Sequence, residues 1–267
     1  MLRIKGSIHE FMRKPWSEKL KQGLRPWLYR IWGHGKPNYN CPVCNYRGPF
    51  LDKKIGSDGF LRRRFSKCPS CSSTERHRIM YLVLNSLVDD SSICMDRILH
   101  VAPEACLQTW LRQHALTYHT ADLLRKDVDF KEDLQCLSFS NASYDCVVIA
   151  RVLNVPQDLE ACLQQIYRIL KPGGFACIAE TFTHEKTIEF ESMKNGRSRE
   201  IGLDLLDHLE RVFDRVVLWD SDHFSGDHQL INRMERKGKA QDDYPSRIQA
   251  AKLGFKELVA ICHKKAD

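Results

Sequence analysis

Between Arg97 and Lys264 short apolar runs alternate with segments whose apolar residues recur every three or four positions. The runs RILHVA, TYHTAD, YDCVVIA and LKPGGFACIAE have the length and continuity of strands, and amphipathic helical stretches lie between them. In LKPGG the pair Gly173-Gly174 reads as a helix stop and turn ahead of the next strand. Further on, HLERVFDRVVLW reads as a helix followed by a strand, and FKELVAICHK as an apolar strand preceded by an amphipathic helix around residues 245–254. This alternation predicts an α/β fold, a mostly parallel sheet with helices on both faces. Ahead of it, SSTERHRIMYLVLNSL opens on hydroxyl caps and continues as an apolar helix, which marks entry into the main domain.

Residues 1–39 carry a different pattern. Trp16, Leu20, Leu24, Trp27 and Ile31 recur at helical spacing, with Lys19, Lys21, Arg25 and Arg30 between them, and Pro26 is expected to kink or split that helix. The ordinary fate of such a stripe is to pack on the main domain; an anchor on anionic lipid and a nucleic-acid arm are the alternatives. There is no internal repeat and no low-complexity tract.

With 267 residues, 43% of them hydrophobic, the chain can bury one sizeable core and still carry a smaller module. Charge divides the same way: residues 1–78 hold 18 Lys and Arg against 5 Asp and Glu, while the remainder holds 23 against 29. A basic front suits an anionic partner: nucleic acid, a phosphorylated sugar carrier or an acidic membrane surface. No apolar run approaches the roughly 18 residues that span a bilayer, and no apolar signal core precedes a small-residue cleavage site. Export is therefore not expected. The eleven cysteines read as reduced thiols in a cytoplasmic protein, some of them metal ligands.

Four of those cysteines form two pairs, Cys41-Pro-Val-Cys44 and Cys68-Pro-Ser-Cys71, separated by 23 residues. Each pair offers two thiolates to one ion, and together they complete a closed tetrahedral set suited to structural zinc. Ordinary buried thiols and a redox pair are the other readings. The intervening GPFLDKKIGSDGFLRRR is expected to form a short hairpin.

Taken together, CPVC and CPSCSSTERHR followed by ILHVAPE, TADL, an Asp133-Leu134 pair, SYD, RVL and RILKPGG resemble a bacterial family of zinc-ribbon methyltransferases, over residues 41 to about 180. The resemblance implies a Rossmann-like class I methyltransferase sheet at 74–267, a zinc ribbon at 40–73 and a basic helical leader at 1–39. It also implies S-adenosylmethionine as cofactor and zinc in a structural role. On the usual D-x-G-x-G-x-G spacing of class I enzymes, His100 stands at the acid, and Ala102, Glu104 and Cys106 stand at the glycines. The family's first loop commonly reads "aPE" in place of the glycines. By the resemblance, Val101, Ala102, Pro103 and Glu104 form the first cofactor turn and Asp122 accepts the ribose hydroxyls. Asp133 and Leu134 border adenine, and Ala150 and Arg151 border the methyl group and substrate. Read alone, Asp122 and Asp133 are solvated loop acids as readily as ligands.

The chain departs from the family after YDCVVIA, where Arg151-Val152-Leu153-Asn154-Val155-Pro156 replaces a stretch like H-V-L-E-H-V. Arg151 supplies a fixed charge suited to a carboxylate or phosphate, or else a surface cation paired with a local acid. Methyl transfer needs a base only where the acceptor carries a proton, and the candidates are Glu180, His223 and His228. The acids and histidines of WDSDHFSGDHQ match no established metal spacing. Three functions are therefore in play. The first is methyl transfer to a small molecule or carrier-linked sugar, an acceptor class implied by the resemblance. The second is RNA methylation, with Arg62, Arg63 and Arg64 gripping phosphates. The third is a non-catalytic binding module, which the glycine-free turn motivates.

Overall fold

In the computed structural model, which describes residues 18–33, 35–55, 60–89, 93–241, 243–250 and 254–266, the apolar runs assemble into one seven-stranded sheet. The front of the chain supplies α1 (Glu18–Trp32), β1 (Tyr39–Asn40), β2 (Arg47–Gly48), β3 (Leu51–Ile55), β4 (Leu61–Lys67) and α2 (Glu75–Asp89). The middle supplies β5 (Arg97–Val101), α3 (Ala105–Gln113), β6 (Thr117–Asp122), β7 (Phe130–Lys131), β8 (Tyr144–Ala150), α4 (Leu159–Ile169) and β9 (Leu170–Glu180). Then follow β10 (Ile188–Lys194), β11 (Arg197–Glu200), α5 (Leu205–Val212), β12 (Arg215–Trp219), β13 (Ile231–Arg236), β14 (Lys239–Gln241), β15 (Phe255–Lys256) and β16 (Leu258–His263).

The main sheet runs β12-β16-β9-β8-β5-β6-β7, with β16 antiparallel to both neighbours and the remaining pairs parallel. Every residue of β8 is buried, which is why this central strand reads as an unbroken apolar run. Its residues serve two separate cores. Val147 and Ile149 meet α4 and α5 through Leu163, Ile166, Leu205 and Leu209, while Cys146 and Val148 meet α2 and α3 through Met80, Val83, Leu107 and Leu111. Helices thus cover both faces, as the alternation predicts, and the strand read from FKELVAICHK is the antiparallel β16.

The ribbon does not stop at residue 73. Its hairpin of β3 and β4 continues across β4 into β13 and β14, so a second sheet joins the front of the chain to residues 231–241. Among its rungs Arg63 stands opposite Met234.

Two expectations are corrected here. The helix expected around residues 245–254 is absent from 243–250, where Ile248 and Gln249 both donate to the Pro245 carbonyl at 3.0 Å in a turn; residues 251–253 lie outside the described residues. Gly254 then passes so close to β13 that a Cβ there would stand 1.8 Å from the Asn232 carbonyl oxygen, an approach that only glycine permits. The leader stripe is the second case. The helix forms and runs through Pro26, yet Trp27 and Ile31 are 61% and 51% exposed. The helix docks by its end, where Arg30 lies over the Tyr46 ring and donates to the Arg47 carbonyl at 3.0 Å, and Leu24, Trp27 and Ile31 face solvent. Trp16 lies outside the described residues. Among the described residues, no helix is long and apolar enough to cross a membrane.

Candidate functional site

The two Cys knuckles are built alike. The Cys41 and Cys68 carbonyls accept from Asn45 and Ser72, and these last two residues take φ of 57° and 66°, which closes each turn. All four sulfurs converge within 4.8 Å, with Cys41–Cys71 at 3.6 Å and Cys44–Cys68 at 3.7 Å. A disulfide would bring two of them to about 2.05 Å. Tetrahedral zinc with bonds of about 2.3 Å requires an edge of roughly 3.8 Å, which these separations approach. The Ser73 hydroxyl lies 3.2 Å from both Cys41 and Cys71 and can donate to a thiolate. Hydrogen bonds from Cys41, Cys68 and Cys71 hold the Cys44 thiol well below its ordinary value, while contact with Cys41 and Cys44 pushes Cys68 up. Four such sulfurs can all be thiolates only if a cation shares their charge. The donor set fits zinc.

At the carboxyl edge of the main sheet, adjacent strands present the expected cofactor residues in a row. Ala150 ends β8, Val101 ends β5, Asp122 ends β6, and Asp133 follows β7. Ala102 takes φ 50°, so this residue adopts the left-handed backbone that the usual glycine supplies, at a cost of roughly 1–2 kcal/mol. Asp122 uses one oxygen to accept the amides of Leu124 and Arg125, at 2.8 and 2.9 Å. Asp133 accepts the Gln135 backbone amide at 2.9 Å on one oxygen, and the Gln135 side-chain amide lies 3.2 Å from both. Leu134 is buried in the core, which leaves its backbone as the part that can meet a ligand.

Glu104 explains how a turn without glycines is held. It is the N-cap residue of α3, yet its side chain makes no cap bond to that helix. The carboxylate turns back instead to His100 Nε2 at 3.1 Å, His77 Nε2 at 3.5 Å and Arg76 Nε at 3.6 Å, and Tyr118 OH closes the chain on His100 Nδ1 at 2.8 Å. His77 Nδ1 accepts the Thr74 amide, so the neutral ring carries its proton on Nε2, facing Glu104. Burial acts to raise the Glu104 carboxyl, but the bonds from His100 and His77 outweigh it and hold the group at about 2. The motifs STERHR and HVAPE are thus two halves of one cluster. Glu75 and Arg78, on the other side of α2, hold the ribbon: Glu75 accepts from Ser66 at 2.8 Å, and Arg78 donates to the Ser66 and Ser73 carbonyls and lies over Phe50.

Beyond β8 the departure segment 151–156 is clamped from two sides. Glu180 Oε1 accepts the Leu153 amide at 2.9 Å. Arg199, 2% exposed, donates to the carbonyls of Leu153, Pro156 and Gln157 at 3.0, 2.6 and 2.6 Å. Arg199 belongs to a β10–β11 hairpin whose tip is Asn195-Gly196, with φ of 53° and 75°. That hairpin is absent from the sequence reading, although Asn-Gly between β-compatible residues is its signature. Arg151 takes φ 58°, strain of roughly 1–3 kcal/mol that the surrounding contacts must hold. Burial and then the guanidiniums of Arg76 and Arg63 bring it down to about 10.

A cavity of about 440 Å³ opens between these parts. Ala102, Pro103, Glu104 and Ala150 line it at the strand ends, and Arg151, Asn154 and the hairpin tip line it opposite. The other candidates for a base fall elsewhere. His223 is spent in its own turn, with Nδ1 at 3.0 Å from Asp220, and His228 lies against the Asn40 carbonyl of the ribbon at 3.0 Å. Neither lines the cavity. Glu180 is 2% exposed, and burial pushes its carboxyl from 4.5 up to about 7, against the Leu153 amide and the Arg151 charge. A carboxyl raised in this way adds stability that is complete below pH 4.5 and lost as pH rises through 7. The gap corresponds to about 3 kcal/mol. Glu180→Gln keeps an acceptor for Leu153 and is therefore expected to melt higher than the parent above pH 8. Parallel curves of melting temperature against pH for the two proteins would contradict this.

The arginine run is also accounted for internally. Arg63 is 5% exposed and paired with Glu75 at 3.5 Å, and Arg64 is paired with Asp52 at 3.3 Å and Glu235 at 3.6 Å. Only Arg62 of the three is exposed, so the run offers no phosphate grip.

Residues 94–178 match the family model described as "Methyltransferase domain". Among curated proteins, the chain is 34% identical over 61 residues to the hybrid PKS-NRPS synthetase mpsA of Macrophomina phaseolina, which is 23% of this chain and 2% of that one. It is 31% identical over 75 residues to the arsenite methyltransferase of Aquipseudomonas alcaligenes, 27% of this chain and 22% of that one. The chain thus spans a small fraction of the curated relatives it matches. Among solved structures, N-methyltransferase NodS from Bradyrhizobium japonicum in complex with S-adenosyl-L-homocysteine aligns with a TM-score of 0.44 and 16% identity, over 71% of this chain and 86% of that one.

Proposed function

We propose that the chain is an S-adenosylmethionine-dependent methyltransferase acting on a small-molecule or carrier-linked sugar acceptor, with zinc in a structural role. The observation that carries the reading is the first turn, within the 94–178 methyltransferase-domain match: Ala102 holds a glycine's backbone, and Glu104 turns away from the helix it begins. The start of α3 is thereby left without a side-chain cap, and its amides and dipole suit the carboxylate of the cofactor. Asp122 suits the ribose hydroxyls and Asp133 the adenine amine, each at the end of a neighbouring strand.

Bound there, the cofactor supplies a methyl group already activated by a sulfonium. The protein then has to position an acceptor in line and keep water out. Arg199 and Glu180 hold segment 151–156 against the end of β8, which fixes the wall that an acceptor meets. Glu180 is buried and does not line the cavity, so its part is to position that segment through the Leu153 amide. The internal pairing of Arg63 and Arg64 argues against the RNA reading. Exposed Leu24, Trp27 and Ile31 on α1, beside Arg25 and Arg30, support a cytoplasmic protein that touches an anionic membrane surface.

Calorimetric titration with S-adenosylmethionine tests the assignment. Binding is expected, and Asp122→Ala is expected to weaken it at least tenfold, about 1.4 kcal/mol. A wild-type protein that takes up no cofactor would remove the proposal.

A further inference from the structure

The cavity is lined by four arginines, Arg76, Arg125, Arg151 and Arg197, against one carboxylate, Glu104. Two of the four are already committed. Arg125 forks onto Asp127 at 2.6 and 2.9 Å and donates to the Pro103 carbonyl at 2.6 Å, while Arg76 faces Glu104 at 3.6 Å. Among the described residues, Arg151 and Arg197 have no acid within 4.0 Å, and Arg151 is substantially buried beside other cations. Glu257 and Glu180 act on Arg151 only at longer range, and a cation kept in a strained backbone beside Arg76 and Arg63, with no acid in contact, is poised for an anion from outside.

Both guanidiniums are mounted on one unit. Arg197 leaves the hairpin tip, and the next two residues fasten that hairpin to the segment that carries Arg151: Ser198 donates from its amide to the Asn154 carbonyl at 3.0 Å, and Arg199 donates to Leu153 and Pro156. The two backbones that carry the pair are therefore held together before any ligand arrives. S-adenosylmethionine itself brings a net positive charge, so a bound cofactor adds no net anion to set against these two groups. Planar guanidinium forks match carboxylate and phosphate oxygens.

We infer that Arg151 and Arg197 form a receiving site for an anionic group of the acceptor, a carboxylate or a phosphate ester. The inference rests on the methyltransferase reading only in calling the ligand an acceptor; the anion site itself is independent of that reading.

The test uses the full chain, with and without S-adenosylhomocysteine, titrated calorimetrically with phenyl phosphate, benzoate and uncharged benzamide. At least one anion binds and benzamide does not, and the tighter of the two anions identifies the group. Arg151→Gln and Arg197→Gln each weaken anion binding at least tenfold while S-adenosylhomocysteine affinity stays within threefold. Arg197→Gln, at the hairpin tip, carries the test alone if Arg151→Gln lowers the melting temperature. Anion binding that is equal in wild type and variants, or absent from the wild type, overturns the inference. Anion binding that depends on both arginines in a protein unable to take up S-adenosylhomocysteine supports the site and removes only the methyltransferase reading.

Discussion

Purified protein is expected to carry about one zinc per chain, and Cys68→Ser or a strong chelator is expected to unfold more than the ribbon. Zinc held by four thiolates contributes folding free energy on the order of 10 kcal/mol, comparable with the whole stability of a domain. The ribbon has no large core to replace it: Tyr39, Tyr46 and Phe50 are the chief buried side chains besides the cysteines. The loss would travel along α2. Glu75 and Arg78 are fixed by the ribbon, while Arg76 and His77 of the same turn hold Glu104 in the turn proposed for the cofactor. Metal removal should therefore weaken S-adenosylmethionine binding as well as front-end structure, although no sulfur reaches the cavity. Metal analysis combined with circular dichroism and cofactor titration reads each part. A folded protein without metal, or a Cys68→Ser variant with the parent melting temperature, would refute the structural role.

The second large effect is expected at Glu104. Its carboxyl is held at about 2 against an ordinary 4.5, so it contributes stability above pH 4.5 that is lost as pH falls through 2. The gap is worth about 3 kcal/mol at neutral pH. Glu104→Gln nearly preserves shape and removes the charge that His77, His100 and Arg76 surround. Denaturant titration at pH 7 should show a deficit of that order relative to the parent, and the two proteins should converge as the pH is lowered toward 2. A deficit independent of pH would mean that packing, not charge, is what Glu104 contributes.

What the sequence disclosed and what it hid divide along physical lines. YDCVVIA was legible because a strand buried on both faces must be apolar throughout, and the knuckles were legible because four thiolates at that spacing have few other uses. The cluster around Glu104 was hidden, since its members come from two motifs that meet only when α2 lies beside β5. The β10–β11 hairpin was hidden for a different reason. Nearly every side chain of β10 is exposed, so it has no apolar rhythm, and the Asn-Gly tip is its one local signal. The leader shows what a period can and cannot convey. Helical spacing of Leu24, Trp27 and Ile31 specified the helix, but nothing in it specified whether another surface would cover the stripe. In WDSDHFSGDHQ the histidines drew notice as titrating groups, whereas their neighbours use them as turn and ribbon fastenings.

The pairing of β4 with β13 has a consequence for how the chain is made. Arg63 lies opposite Met234, and at synthesis rates of 5–20 residues per second the partner strand leaves the ribosome roughly 10–30 s after β4 does. A β4 that forms in that interval has an open edge, the kind of surface on which chains pair with one another. Arg62 and Arg64 flank Arg63 along that edge, and their charges repel a second copy of the same strand until β13 arrives with Glu235 to meet Arg64.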